Sequence, residues 1–75
     1  MIKYNNCSED VKYLIDRLLM SDNEMFFVEY EDMDLFTVFK IYEEVQKSIL
    51  REYILFYEDE AYISVYGGLA DIIEF

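Results

Sequence analysis

The chain has 75 residues and a strongly negative composition: 17 acidic residues stand against six basic ones and no histidine, for a formal net charge of −11. Hydrophobic residues make up 55% of the chain and aromatic residues 19%, which excludes the aromatic-poor composition of acidic disordered chains. With no proline and two glycines the sequence contains no linker composition, so we expect a single compact domain over residues 1–75.

Signals for a membrane or for an oxidising compartment are absent from the sequence. Cys7 is the one cysteine, so an internal disulfide cannot form. No segment combines a basic stretch, an apolar run and a small-residue cleavage site, and no apolar run approaches the ~20 residues that span a bilayer. We therefore expect a cytoplasmic protein that binds no membrane.

The first elements in chain order are a predicted helix and a predicted strand. Residues 8–20 repeat apolar side chains at helical spacing, and either Asn6 or Ser8 can cap the start. Residues 24–30 are aromatic and β-branched, which predicts a strand, and an acidic turn follows at 31–34. The apolar stripe of the first helix consists of Val11, Leu14, Ile15, Leu18 and Leu19.

Residues 35–51 predict a second helix, with apolar side chains spaced alternately three and four residues apart. We expect this stripe and its aromatic residues to be core rather than an exposed groove. A hairpin strand over 35–41 is the alternative, but the helical period persists to residue 49. A dimer seam is a further alternative, although the pattern covers fewer than about three heptads. The stripe consists of Leu35, Val38, Tyr42, Val45 and Ile49, widened by Phe39, Ile41 and Leu50.

Residues 53–57 and 61–66 predict a β-hairpin around an acidic turn at 58–60. The tail, 69–75, fits a short strand or a helical turn. The order α-β-α-β-β predicts an α+β fold in which two helices pack on one face of a small, mainly antiparallel β-sheet.

Negative charge is segregated along the chain. Six acids and no base lie between Leu18 and Phe39, and six more acids with no base lie from Glu52 to Phe75. Added Asp and Glu improve solubility, but excess like charge destabilises a compact state, so two base-free blocks favour an interaction role. A positively charged partner surface is the simplest explanation of this charge.

The predicted partner-binding residues are carboxylates and tyrosines of these two blocks. Carboxylates two residues apart on extended backbone share a face at roughly 6.7 Å, and such a row resembles nucleic-acid phosphates at ~3.4 Å per strand. Aromatic side chains supply binding anchors that charge alone lacks. The predicted set is Glu29, Glu31, Asp32, Asp34, Glu58, Asp59, Glu60, Tyr57 and Tyr62.

Patterns for catalysis, cofactors and metals are missing from the sequence. Without histidine there is no imidazole base, and one cysteine excludes a cysteine-based zinc site. Gly67-Gly68 lacks the spacing of a phosphate-binding loop, and the acids of 29–34 lack the central glycine and distal glutamate of an EF-hand. We therefore expect no enzyme activity, no cofactor and no metal, and direct nucleic-acid binding is disfavoured because the surface repels phosphates.

Small size, strong acidity, α+β elements and the acidic runs Glu29–Asp34 and Glu58–Glu60 resemble phage-encoded anti-defence inhibitors, namely anti-CRISPR proteins and DNA-mimic inhibitors of restriction enzymes and glycosylases. The resemblance implies a stoichiometric inhibitor in the host cytoplasm that occupies the basic nucleic-acid-binding surface of a host defence protein, such as a CRISPR effector or another nuclease. The alternatives are an immunity protein or antitoxin that neutralises a basic toxin, and a self-associating phage structural or regulatory protein. Both a monomer and a homodimer are compatible with these hypotheses.

Overall fold

The computed structural model describes residues 1–21 and 24–75 of the chain. In chain order its main elements are β1 (Ile2–Lys3), α1 (Glu9–Met20), β2 (Met25–Glu29), α2 (Leu35–Gln46), β3 (Ile54–Tyr57), β4 (Tyr62–Tyr66) and β5 (Ile73–Glu74). Strands β2, β4 and β3 form an antiparallel sheet in that order, and β1 pairs with β5 in a two-stranded parallel sheet. The predicted α+β fold is confirmed, and the predicted order α-β-α-β-β matches α1 to β4, whereas the sequence did not predict β1.

Strand β4 lies at the centre of the larger sheet and carries the middle of the core. Ile63 and Val65 are fully buried, as expected for alternate residues of a strand that face the helices. Val28 is paired with Ile63 on one side, and Ile54 is paired with Val65 on the other. The two helices therefore cover one face of this sheet, and the opposite face carries the other residues of each strand.

Of the two candidate caps, Ser8 is the residue that caps the start of helix α1. Its Oγ accepts a hydrogen bond from the Val11 amide at 3.2 Å, whereas Asn6 lies in a 3₁₀ turn over Tyr4–Asn6. The Ser8 amide in turn donates to Glu44 Oε2 at 3.0 Å, so the start of α1 is tied to α2. This bond satisfies an amide at the helix start that the helix itself leaves without a partner.

Helix α2 is shorter than predicted, because it ends at Gln46 and a separate 3₁₀ turn follows over Ile49–Glu52. Ser48 between them has extended backbone, and its Oγ accepts from the Leu50 amide at 3.2 Å. Such local side-chain bonds compete with helix propagation. Leu50 is nonetheless buried, so the apolar period continues past the residue where the helix ends.

The buried face of α2 differs from the predicted stripe. Val38, Ile41 and Val45 are buried, while Leu35 is 60% exposed and Tyr42 is 43% exposed. Alternate spacings of three and four fit two neighbouring helix faces, and the contacts between α1 and α2 select the face centred on Ile41. The expectation that the aromatic residues of this stripe are core is wrong for Phe39 and Tyr42, which are 64% and 43% exposed.

The tail contains both structures that the sequence left open. Residues Gly67–Asp71 form a 3₁₀ turn with Leu69 buried, and β5 then returns to pair with β1. Gly67 begins that turn where the chain passes close to Glu24: its amide donates to the Glu24 carbonyl, and a Cβ there would lie 2.8 Å from the same oxygen. Within the described residues, no helix combines the length and apolar character needed to cross a bilayer.

We expect Leu14→Ala to lower the free energy of unfolding by about 2–4 kcal/mol, because Leu14 is fully buried and its truncation leaves a cavity. The matched control is Leu19→Ala on the same helix, where the side chain is half exposed and the loss should stay below about 1 kcal/mol. Urea unfolding followed by circular dichroism measures both. Equal losses would contradict the buried face assigned to α1.

Candidate protein-interaction site

Two acidic turns meet at one edge of the larger sheet. Strands β2 and β3 end there and β4 begins there, so the residues after Glu29 and those around the hairpin turn are neighbours. The Tyr30 amide donates to the Ala61 carbonyl at 2.8 Å and joins the two turns. We call the carboxylates gathered here the acidic edge; they are Glu29, Glu31, Asp32, Glu58, Asp59 and Glu60.

After Glu29, which ends β2, the backbone of the acidic edge is turned rather than extended, so the predicted face-sharing rows are wrong. Glu31 lies in a 3₁₀ turn over Tyr30–Asp32, and Glu58 and Glu60 belong to the four-residue loop between β3 and β4. Ala61 closes that loop with a φ of +57°, and its amide donates to the Glu58 carbonyl at 3.3 Å. The carboxylates therefore form a compact cluster in place of a regularly spaced row.

Carboxylates from both turns approach one another within this cluster. Glu29, Glu31 and Glu60 line a shallow recess of about 240 Å³ with Ala61. The pKa of Glu29 is raised, first by a hydrogen bond with the Glu31 side chain and then by the negative charges of Glu31 and Asp32. Among the residues that the structure describes, no three His, Cys, Asp or Glu side chains are arranged to hold a metal ion.

Several of the basic side chains are engaged away from the acidic edge. Lys12 pairs with Glu9 at 3.5 Å and Lys40 pairs with Asp10 at 3.6 Å, both on the helices. The Arg17 guanidinium lies 5.0 Å from the centre of the Phe26 ring. Over residues 1–21 and 24–75, no ion pair includes a carboxylate of the acidic edge.

Several predicted or neighbouring acids lie outside the acidic edge. Asp34 is the N-cap of α2, and its Oδ1 accepts from the Thr37 amide at 2.8 Å, so it has a structural role that needs no partner. Glu24 and Glu52 lie at the opposite end of the sheet, next to the start of β2 and of β3. The two base-free blocks of the sequence therefore contribute only part of their charge to one surface, and Asp22 lies outside the described residues.

An aromatic surface adjoins the acidic edge on the sheet face that the helices leave uncovered. The rings of Tyr57 and Tyr62 stack with centroids 4.8 Å apart, and Phe27 meets Tyr62 edge to face at 4.9 Å. Phe27, Glu29 and Tyr62 frame an open recess of about 260 Å³. We call Phe27, Tyr57 and Tyr62 the aromatic face; sequence reasoning missed Phe27, whose signal is its alternation with buried Val28 along β2.

The phenol groups of the aromatic face are coupled to a further tyrosine. Tyr57 and Tyr66 hydroxyls lie 3.4 Å apart, above the fully buried Ser64 between Tyr62 and Tyr66 on β4. The hydrogen bond with Tyr57 lowers the pKa of Tyr66, and the same bond raises the pKa of Tyr57. This contact restrains the Tyr57 ring in the orientation that stacks on Tyr62.

Partly exposed aromatic rings next to unpaired carboxylates are suited to bind cationic side chains. A guanidinium or ammonium group gains from the face of an aromatic ring and from a carboxylate at the same time. Glu29 and Tyr62 are opposite each other in the β2–β4 register, so both features are available at one point.

Comparisons with protein-family models, with curated proteins and with solved structures found no match to this chain.

The raised pKa of Glu29 predicts a pH-dependent stability. Because the folded protein holds this proton more tightly than the unfolded chain, the contribution of Glu29 to stability is fully present below the ordinary glutamate pKa of 4.5 and is lost as the pH rises through the folded value. Glu29→Gln should remove this loss in urea-unfolding series measured as the pH is raised from below 4.5. Glu43→Gln, an exposed carboxylate on α2, is the control and should leave the slope in place. If Glu29→Gln leaves the slope of unfolding free energy against pH at its wild-type value, the raised pKa of Glu29 is contradicted.

We also expect Ala61→Gly to stabilise the hairpin. The left-handed φ of Ala61 strains a residue with a Cβ, and glycine removes that strain at the cost of a more flexible unfolded chain. The net gain should be about 0.5–1 kcal/mol in the free energy of unfolding, measured by thermal and urea denaturation. Loss of stability in Ala61→Gly would show that this backbone conformation carries no strain.

Proposed function

We propose that the protein is a non-catalytic, stoichiometric inhibitor that binds the basic nucleic-acid-binding surface of a host defence protein, a CRISPR effector or another nuclease, in the host cytoplasm. The observation that carries the proposal is the acidic edge itself. Six carboxylates lie at one edge of the sheet, without an ion pair among the described residues, and beside partly exposed aromatic rings. A cationic groove that binds phosphates would accept this surface in place of DNA or RNA.

The compact shape of the acidic edge supports mimicry through charge density. Its carboxylates come from two turns joined by the Tyr30–Ala61 backbone bond, so the spacing does not follow a single extended strand. Binding would release counterions and would weaken steeply as salt is raised, as it does for proteins that bind phosphate backbones. The aromatic face supports the same proposal because its rings can stack on partner arginines.

The electrostatic strain within the acidic edge is a second line of support. Glu29 and Glu31 are close enough to raise the pKa of Glu29, and no base among the described residues relieves their repulsion. Such an arrangement costs the free protein stability. A positively charged partner would remove that cost on binding, which gives the clustered charge a functional reason.

The same surface serves an immunity protein or antitoxin that neutralises a basic toxin, since the physical requirements are identical. The self-associating alternative is favoured by one separate observation, the exposed apolar flank of α2 with Leu35 and Phe39. Light scattering of the purified protein separates that alternative, because a monomer at micromolar concentration would leave it without support.

Affinity capture from host lysate tests the proposal, with the captured proteins identified by mass spectrometry at low and high salt. We expect a nucleic-acid-binding protein to be retained at low salt and released at high salt. The variant Glu58→Gln, Asp59→Asn, Glu60→Gln should lose most of this capture, since it removes half of the acidic edge. Its free energy of unfolding should be unchanged or higher, because self-repulsion falls.

The matched control neutralises three exposed acids elsewhere: Glu43→Gln, Asp71→Asn, Glu74→Gln. Both variants change the net charge by the same amount, so a requirement for general acidity would weaken capture equally. Capture of no nucleic-acid-binding protein at any salt concentration would overturn the proposal. Equal capture by the two variants would overturn the assignment of the acidic edge.

A further inference from the structure

An apolar groove lies next to the acidic edge, between the exposed flank of α2 and the end of β3. It is about 410 Å³ in volume, and apolar or aromatic side chains make up most of its wall. Phe56 contributes from the sheet, in edge-to-face contact with Tyr42 at a centroid distance of 5.1 Å. The residues that line the groove are Tyr30, Leu35, Val38, Phe39, Tyr42, Phe56 and Glu58.

The exposure of the α2 side of this groove is not explained by the fold. Leu35, Phe39 and Tyr42 follow one another at helical spacing, and all three stay exposed although Tyr42 contacts Phe56 of the sheet. Burial of each side chain would be favourable by the hydrophobic effect. A contiguous apolar surface of this kind is typical of an interaction site in a folded protein. The groove is therefore suited to receive apolar side chains from outside the molecule.

The groove is continuous with the acidic edge. Glu58 belongs to both, and Tyr30, whose amide joins the two acidic turns, forms part of the groove wall. Glu58 lies near enough to Tyr30 to contribute to its raised pKa, after burial of the phenol. An occupant of the groove would therefore have the carboxylates of the acidic edge directly beside it.

Two occupants fit such a groove, a second copy of this chain or a segment of a partner, and electrostatics distinguishes them. A second copy of this chain brings another net charge of −11 and another acidic edge, so association through the groove would set like charges side by side. A segment that carries Lys or Arg around its apolar residues meets the opposite charge at Glu58 and its neighbours. Complementarity favours the basic segment.

We propose that the groove between α2 and the end of β3 is the docking site for a basic amphipathic segment of the partner protein, which inserts large apolar side chains against Leu35, Phe39 and Phe56 while its Lys or Arg residues contact Glu58. The inference rests on the proposed function only for the partner's positive charge. It adds an apolar anchor to a surface otherwise defined by charge and by the aromatic face, and it makes the interaction partly resistant to salt.

The test uses the full chain labelled with ¹⁵N and a synthetic basic amphipathic peptide of about 15 residues, with leucines at helical spacing and lysines at the other positions. Calorimetry gives the dissociation constant, and amide chemical shifts locate the contact. We expect the shifts to concentrate at Leu35, Phe39 and Phe56. A peptide with the same leucines and glutamate in place of every lysine should not bind measurably.

Two pairs of variants separate the groove from its surroundings. Phe39→Ser should weaken peptide binding by about tenfold or more, as for an interface anchor. Phe36→Ser on the same helix is equally exposed but lies outside the groove, with the Lys40 ammonium 5.3 Å from its ring centre, and should change binding less than about twofold. Glu58→Gln should weaken binding more than Glu60→Gln, which lies outside the groove wall. Circular dichroism confirms that each variant is folded.

Three results would overturn the inference. The first is that Phe39→Ser and Phe36→Ser weaken peptide binding equally, and the second is that the glutamate peptide binds as tightly as the lysine peptide. The third is a wild-type dimer that Phe39→Ser dissociates, because it would assign the groove to a second copy. The proposed function fails separately. Peptide binding through Phe39 without capture of a nucleic-acid-binding protein would leave the groove standing and remove the inhibitor role. If the Glu58–Glu60 triple variant loses capture but the peptide does not bind in the groove, the inhibitor role stands and the docking site is wrong.

Discussion

The pairing of β4 between β2 and β3 is the constraint on which the rest of the structure depends. Because both neighbours run antiparallel to β4, the end of β2 and the turn of the β3–β4 hairpin must lie at the same edge. The backbone bond from Tyr30 to Ala61 then holds the two turns together. Acids that are about 30 residues apart in the sequence become neighbours through this pairing, and every feature of the candidate interaction surface is arranged around them.

A sheet of three short strands covers little more than one face of each helix. The core is built from one stripe of α1, one stripe of α2 and the inward residues of the sheet. A chain of 75 residues buries only roughly 60% of the surface that its unfolded form exposes, so apolar residues remain outside. Some of them lie beside the acidic edge: Leu35 and Phe39 line the groove on one side, and Phe27 belongs to the aromatic face on the other.

Under the proposed function, the three surfaces would contribute to recognition in physically different ways. The carboxylates act over a long range and respond to salt, which suits the first encounter with a basic partner. The aromatic rings and the groove act only in contact and depend on shape, which suits anchoring and selectivity. The hydrogen bond with Glu31 and the negative charges of Glu31 and Asp32 raise the pKa of Glu29, which shows how closely these carboxylates lie in the free protein.

Local sequence pattern determined the elements: apolar spacing set α1, alternation set the strands, and Ser8 and Asp34 set the helix starts through bonds within one turn. Composition likewise determined the excess of negative charge. Tertiary structure decided which flank of α2 is buried, because a spacing of three and four fits two helix faces until α1 and the sheet select one. It also decided that the carboxylates form a compact cluster, since Glu31, Glu58 and Glu60 lie in turns whose meeting depends on strand pairing over long sequence distances. Spacing along the chain carries no information about contacts of that kind.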